Sequence, residues 1–128
     1  EGRDDWIYMY NTNFMTALNC CQRILPIMKR VGWGRIINMG SQTALRGMPL
    51  AGPYCASKSA VHSLTKTLAL ENCNGVTCNA VVPGIIDTPA NRNNMPDADH
   101  SGWATLGGLA QNIKKLLLSK ENGLLLEI

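Results

Sequence analysis

Three short apolar segments, separated by stretches with helical spacing, constrain the fold of this chain more than any other feature. The segments are residues 34–39, 76–82 and 123–128, and glycine or proline residues flank them. Short strands that are apolar along their whole length are typical of sheets buried on both faces. Helical connections between such strands make neighbouring strands parallel. The sequence therefore predicts an α/β fold with a parallel sheet and flanking helices.

Helical spacing of apolar residues predicts helices at 4–30, 53–72 and 105–119. Pro26 is expected to kink the first helix or to begin its termination, because proline lacks the amide hydrogen that a helix interior needs. The remaining connections, residues 41–52 and a polar stretch at 87–102, are predicted to be loops. Three strands are few for such a sheet, so the pattern indicates part of a larger architecture.

Composition and charge exclude several classes of protein. The chain has 128 residues, 45% of them hydrophobic and 16% charged, which argues against disorder. Its net charge of +3 is small and scattered, so we expect no nucleic-acid partner. The apolar runs are too short to span a bilayer, and no signal peptide is visible, so we expect no membrane association. Five cysteines without a C-x-x-C pair indicate reduced thiols in a cytoplasmic protein and no metal site.

Tyr54 and Lys58 lie four residues apart on a predicted helix, so their side chains share one face. Free tyrosine is a poor acid–base group at neutral pH. A cation about 4 Å away, at an effective dielectric constant of about 20, favours the phenolate by roughly 4 kcal/mol. The pair is therefore able to act as a proton donor and acceptor. Taken alone, however, the spacing is explained better by an ordinary surface tyrosine and lysine.

Two further polar residues strengthen the hypothesis that Tyr54 and Lys58 form a catalytic pair. Ser41 follows the first predicted strand, where its hydroxyl is able to reach the same substrate oxygen as the tyrosine. Asn13 lies inside the first predicted helix, an unfavourable place for a short polar side chain. It is either a satisfied core amide or a group that binds a water leading to Lys58. His62, one turn after the lysine, is expected on the helix surface.

Four motifs in order resemble those of the short-chain dehydrogenase/reductases. They are residues 6–13 (WIYMYNTN), 34–41 (GRIINMGS), the Y-x-x-x-K pair at 54–58, and residues 79–88 (NAVVPGIIDT). The resemblance covers nearly the whole chain and implies a partial Rossmann-like, doubly wound fold. It also implies an oxidoreductase that transfers a hydride between NAD or NADP and a carbonyl or alcohol carbon of a small molecule.

The resemblance assigns roles residue by residue. Asn13, Ser41, Tyr54 and Lys58 match the catalytic tetrad, with Tyr54 as acid–base, Ser41 steadying the substrate oxygen and Asn13 supporting a proton-relay water. The resemblance implies cofactor contacts at Tyr54, Lys58, Pro83, Gly84, Ile86 and Thr88. Residues 87–103 are similar to a stretch in quinonoid dihydropteridine reductases and related bacterial reductases, where the segment lies over the substrate.

The Gly-rich phosphate-binding turn of that family is not found in residues 1–128. We therefore expect the chain to be the C-terminal catalytic portion of such an enzyme, with an incomplete cofactor site and doubtful activity on its own. The first residues, Glu-Gly-Arg without Met, agree with this expectation. The alternative is an inactive fragment that serves as an interaction module. The family pairs copies through long helices, which implies a homo-oligomer formed through residues 4–30 and 53–72.

Overall fold

The three apolar segments form one parallel sheet in a computed structural model that describes residues 2–128. The strands are β1 (Gly34–Met39), β2 (Val76–Val82) and β3 (Leu125–Glu127), in the order β1-β2-β3. Ile36 pairs with Cys78, and Ala80 pairs with Leu125. The predicted parallel α/β fold is confirmed, and only the third strand is shorter than its apolar segment.

The first predicted helix is longer and less regular than its spacing indicates. It comprises α1 (Arg3–Met9), a π-helical segment (Tyr10–Met15) and α2 (Thr16–Val31) without a break. The helix continues past Pro26 for five residues, one residue beyond its predicted end at residue 30, and stops where Gly32 adopts a left-handed φ of 74°. Glycine takes this conformation without the steric penalty of a Cβ atom, so Gly32 sets the helix end.

The other helices bracket the sheet and its loops. They are α3 (Thr43–Arg46), α4 (Gly52–Glu71), α5 (Pro89–Asn94) and α6 (Leu106–Leu118). Helices α3 and α5 lie in segments predicted as loops, because helices of four and six residues are too short to show an apolar period. Thr88 caps α5, since its hydroxyl accepts a hydrogen bond from the backbone N–H of Asn91 at 3.2 Å.

The main core lies between one face of the sheet and helices α2 and α4. Cys21 and Leu25 of α2 and Leu68 and Ala69 of α4 pack against Ile36, Val76 and Cys78 of the strands. Helix α6, through Leu116, is packed against β1 and β2 without joining this cluster. Every residue of β2 is buried, because helices cover both faces of this central strand.

Within residues 2–128, no helix is both long and apolar enough to span a bilayer. Those residues also contain no group of three or more His, Cys, Asp or Glu side chains placed to hold a metal ion.

Candidate active site

A cavity of about 750 Å³ opens at the carboxyl ends of β1 and β2. Parallel strands bring their carboxyl ends to one edge of a sheet, which is where ligands bind in open α/β folds. Six of the eight residues predicted for the site line this cavity: Ser41, Tyr54, Lys58, Pro83, Gly84 and Ile86. Asn13 and Thr88 are not part of the lining.

Helix α4 presents Tyr54 and Lys58 to the cavity from its first two turns. The Lys58 ammonium donates a hydrogen bond to the carbonyl oxygen of Met39, the last residue of β1, at 2.9 Å. It lies 6.0 Å from the centre of the Tyr54 ring. Burial lowers the pKa of Lys58 from its ordinary value, because the charged form loses solvation. The strand carbonyl thus fixes a desolvated cation beside the tyrosine.

Ser41 is held by its backbone as well as by its side chain. Its N–H donates to Nε2 of His62 at 3.2 Å, and its hydroxyl shares a hydrogen bond with that of Thr43 at 2.9 Å. His62 is only 6% exposed, so the expectation of a surface histidine is wrong. The imidazole lies over Gly40, where even a Cβ atom would clash with it. The absence of a side chain at Gly40 therefore allows the histidine to reach Ser41.

Asn13 lies in the π-helical segment, and such segments are frequent at functional sites. Its Nδ2 donates to the hydroxyl of Ser57 at 2.9 Å, and that hydroxyl donates to the carbonyl oxygen of Tyr54 at 2.8 Å. Ser57 is 1% exposed. This chain links the first helix to the turn of α4 that carries the Tyr54–Lys58 pair.

Ser57 and His62 are the residues that sequence reasoning missed. Ser57 lies three residues after Tyr54, a spacing at which a serine hydroxyl bonds back to the carbonyl of the preceding turn. The spacing between Tyr54 and Ser57 therefore indicates this hydrogen bond from the sequence. For His62, the small residue Gly40 at the end of β1 is a hint, but it does not identify which side chain fills the space.

The segment after β2 forms the opposite wall of the cavity. The carbonyl oxygen of Pro83 accepts from the N–H of Gln42 at 3.0 Å, which ties this loop to the one after β1. The carbonyl oxygen of Ile86 accepts from Nδ2 of Asn91 at 2.8 Å. Thr88 instead uses its hydroxyl as the cap of α5, which places it beside the cavity and outside its lining.

Residues 87–103 cover the cavity, with Asn91, Met95 and Trp103 in its lining. The His100 ring packs against the Trp103 ring at a tilt of 52°, with centres 4.2 Å apart, and His100 Nε2 lies 3.0 Å from the carbonyl oxygen of Met95. These contacts give an irregular polar segment a defined shape over the site.

An exposed ion pair anchors the start of this covering segment. Arg92 Nη2 donates to Asp87 Oδ2 at 2.8 Å, and a second bond joins Nε to Oδ1. The hydrogen bond from the Arg92 guanidinium lowers the pKa of the Asp87 carboxyl. The two-point contact ties α5 to the residues that lead away from β2.

Comparison with known proteins gives the relatives of the chain. It is 38% identical over 95 residues to the 3beta-hydroxysteroid dehydrogenase of Mediterraneibacter gnavus, covering 73% of the chain and 34% of that protein. It is 36% identical over 112 residues to the 3-oxoacyl-[acyl-carrier-protein] reductase of Pseudomonas aeruginosa, and the match covers 84% of the chain and 45% of that protein. The chain thus spans less than half the length of these curated relatives.

Solved structures and a family profile complete the comparison. The structure of ElxO with NADP bound superposes with a TM-score of 0.91 and 30% identity, over 100% of this chain and 58% of that one. The profile described as short chain dehydrogenase matches residues 2–99, which include all eight predicted site residues. The family predicted from the motifs is therefore confirmed, and the chain belongs to the short chain dehydrogenases.

Proposed function

We propose that this chain carries the proton-transfer site of an NAD(P)-dependent oxidoreductase acting on a carbonyl or alcohol. The observation that supports this most strongly is the convergence of Ser41, Tyr54 and a lysine held by a strand carbonyl on one cavity. In the reduction direction, the Tyr54 hydroxyl gives its proton to the carbonyl oxygen while a hydride reaches the carbonyl carbon. The Lys58 cation stabilises the phenolate left behind, and the Ser41 hydroxyl orients the substrate oxygen.

The described residues fit one end of a nicotinamide cofactor. When bound, NADH or NADPH supplies the hydride. Pro83, Gly84 and Ile86 line the cavity together with Lys58, so the segment after β2 and helix α4 would both contact the nicotinamide end of the cofactor. Among residues 2–128, no Gly-rich turn follows a strand, so the pyrophosphate contacts need residues beyond this range. Relatives about twice as long support the proposal that this chain is the catalytic portion of a larger nucleotide-binding domain.

Asn13 acts in this proposal as a positioning residue. Through Ser57 it fixes the turn of α4 that carries Tyr54, and it keeps the family role of supporting a water toward Lys58. Thr88 caps α5 and so sets the position of the wall that Ile86 provides.

The test compares two tyrosine variants of the gene product that contains this chain. Tyr54→Phe removes the proton donor, so we expect kcat for ketone reduction to fall at least 100-fold, the lower range for general acid catalysis, with the Kd for NADPH changed less than threefold. Tyr8→Phe removes an equivalent hydroxyl at a position 64% exposed and outside the cavity lining, and should leave both quantities unchanged. Retention of kcat in Tyr54→Phe would refute the proposed role.

A second candidate function, an interaction module, draws support from the exposed apolar side chains of α1. Trp6, Ile7 and Tyr8 are 46%, 48% and 64% exposed on consecutive positions. In this reading a second copy packs on the first helix and α4. Sedimentation velocity tests it: Trp6→Glu should convert a dimer to monomer, and a monomeric wild-type protein at all concentrations would rule the reading out.

A further inference from the structure

The walls of the cavity differ in chemistry from its floor. Ser41, Tyr54 and Lys58 make the floor polar, where the reacting oxygen is placed in the proposed function. Most of the remaining lining is apolar and comes from three separate segments: Met48 and Ala51 before α4, Ile85 after β2, and Met95 and Trp103 in the covering segment. Gln42, Thr43 and Asn91 add polar groups to it. A ligand with its oxygen on the floor therefore has the rest of its body against thioether, alkyl and indole surfaces.

The charges in the cavity lining do not by themselves exclude an anionic substrate, so the apolar part of the lining carries the argument. Among residues 2–128 its lining contains no carboxylate, and its cations are Lys58 and Arg46. The Lys58 ammonium is bound to the Met39 carbonyl. Arg46 donates to Oε1 of Gln42 at 3.2 Å and forms an ion pair with Glu127 at 2.7 Å. Both side chains of this ion pair are largely exposed, so Glu127 offsets the Arg46 charge only in part.

The apolar walls combine a fixed backbone with adaptable side chains. The Met95 backbone accepts from His100, and its N–H donates to the carbonyl oxygen of Asn91 at 3.0 Å. Trp103 packs against the tilted ring of His100. Methionine side chains adapt their shape to apolar ligands because they are unbranched and polarizable. The cavity suits apolar bodies of more than one shape.

From these contacts we infer that the substrate is an uncharged ketone or secondary alcohol with an apolar body. Substrates with a carboxylate or phosphate in that body are rejected, because the apolar walls cannot replace its solvation. This inference rests on the proposed function for the position of the carbonyl, and it adds the class of molecule attached to it.

The test uses two ketones of equal chain length, heptan-2-one and 6-oxoheptanoate, which differ by a terminal carboxylate. Binding is followed by the ¹⁵N–¹H indole signals of the chain, with Trp103 as the reporter in the cavity lining and the signals of Trp6 and Trp33, both outside it, as controls. We expect heptan-2-one to shift the Trp103 signal with a Kd at least tenfold lower than that of 6-oxoheptanoate. Equal or tighter binding of the carboxylate, or no shift of Trp103 with heptan-2-one, would overturn the inference.

Three variants test which residues determine the ligand preference. Met95→Asp should raise the Kd for heptan-2-one at least tenfold, whereas Met95→Leu should change that Kd by less than twofold. Glu127→Gln removes the ion-pair partner of Arg46. It should lower the Kd for 6-oxoheptanoate several-fold and leave the Kd for heptan-2-one unchanged. Unchanged ligand preference in both Met95→Asp and Glu127→Gln would contradict the inference, and Glu127→Gln alone decides if Met95→Asp does not fold.

Failure of this inference is distinguishable from failure of the proposed function. Ketone binding to the chain needs neither NADPH nor turnover, whereas the Tyr54→Phe comparison measures proton transfer at saturating substrate. A carboxylate preference together with a large Tyr54→Phe effect would reject the substrate class and leave the reaction in place.

Discussion

The contact between His62 and the Ser41 backbone makes the stability of this protein depend on pH. Nε2 of the buried imidazole accepts the Ser41 N–H at 3.2 Å, so the ring must be neutral at this nitrogen. Burial lowers the pKa of His62 from its ordinary value of 6.5, and the charges of Lys66 and Lys58 lower it further. On unfolding, the histidine regains its ordinary pKa and binds a proton more readily.

The sign of the effect follows from proton binding in the two states. Above pH 6.5 both states are neutral at His62, and the hydrogen bond contributes its full stabilisation. As the pH falls below 6.5, the unfolded state takes up the proton first, so the free energy of unfolding decreases until the lower folded pKa is reached. Removing the acceptor at high pH leaves a buried N–H unpaired, which costs about 1–3 kcal/mol.

The assay is urea unfolding of the wild-type protein and His62→Leu at several pH values from 8 to 5. We expect His62→Leu to be less stable by about 1–3 kcal/mol at pH 8, and the difference to shrink as the pH falls below 6.5. His100→Gln, which changes the other histidine of the chain, should keep the wild-type pH profile below 6.5. A His62 pKa at or above 6.5 by NMR, or a stability difference that does not vary with pH, would refute the reasoning.

Three other predictions concern the packing around the site. Gly40→Ala places a Cβ against the His62 ring and should lower the free energy of unfolding by about 1–3 kcal/mol. In urea unfolding, the double variant with His62→Ala should recover part of this loss. Cys20 is exposed and should react rapidly with a thiol reagent, while Cys78, whose pKa burial raises to about 12, should react only on unfolding. Ser57→Ala should lower the free energy of unfolding by about 1 kcal/mol, since Asn13 then loses its acceptor; an unchanged denaturation midpoint would count against that link.

The strands and long helices were predictable because burial imposes a period on the sequence. Residues 34–39 and 76–82 are mainly apolar and lie between turn residues, and both strands have those bounds. The family motifs likewise predicted the side chains that line the cavity, such as Ser41 and Tyr54. These features depend on local pattern alone.

The missed features depend on contacts between distant segments. The burial of His62 depends on the space left by Gly40 on a different element, which no helical period reveals. The π-helical segment Tyr10–Met15 was predicted as part of one regular helix, and its Asn13 contacts Ser57, 44 residues later. Helix α5 was missed although Thr88 followed by Pro89 is a start signal, because six residues show no period.

The most direct measurement of the central claim follows a deuterium atom. The gene product that contains this chain is incubated with NADPH deuterated at the reactive position and with heptan-2-one, and the alcohol is analysed by NMR. We predict deuterium on the carbinol carbon with the wild-type protein and with Tyr8→Phe, and almost none with Tyr54→Phe in the same time. Absence of deuterium at that carbon with wild-type protein, or equal incorporation with Tyr54→Phe, would contradict hydride transfer assisted by Tyr54.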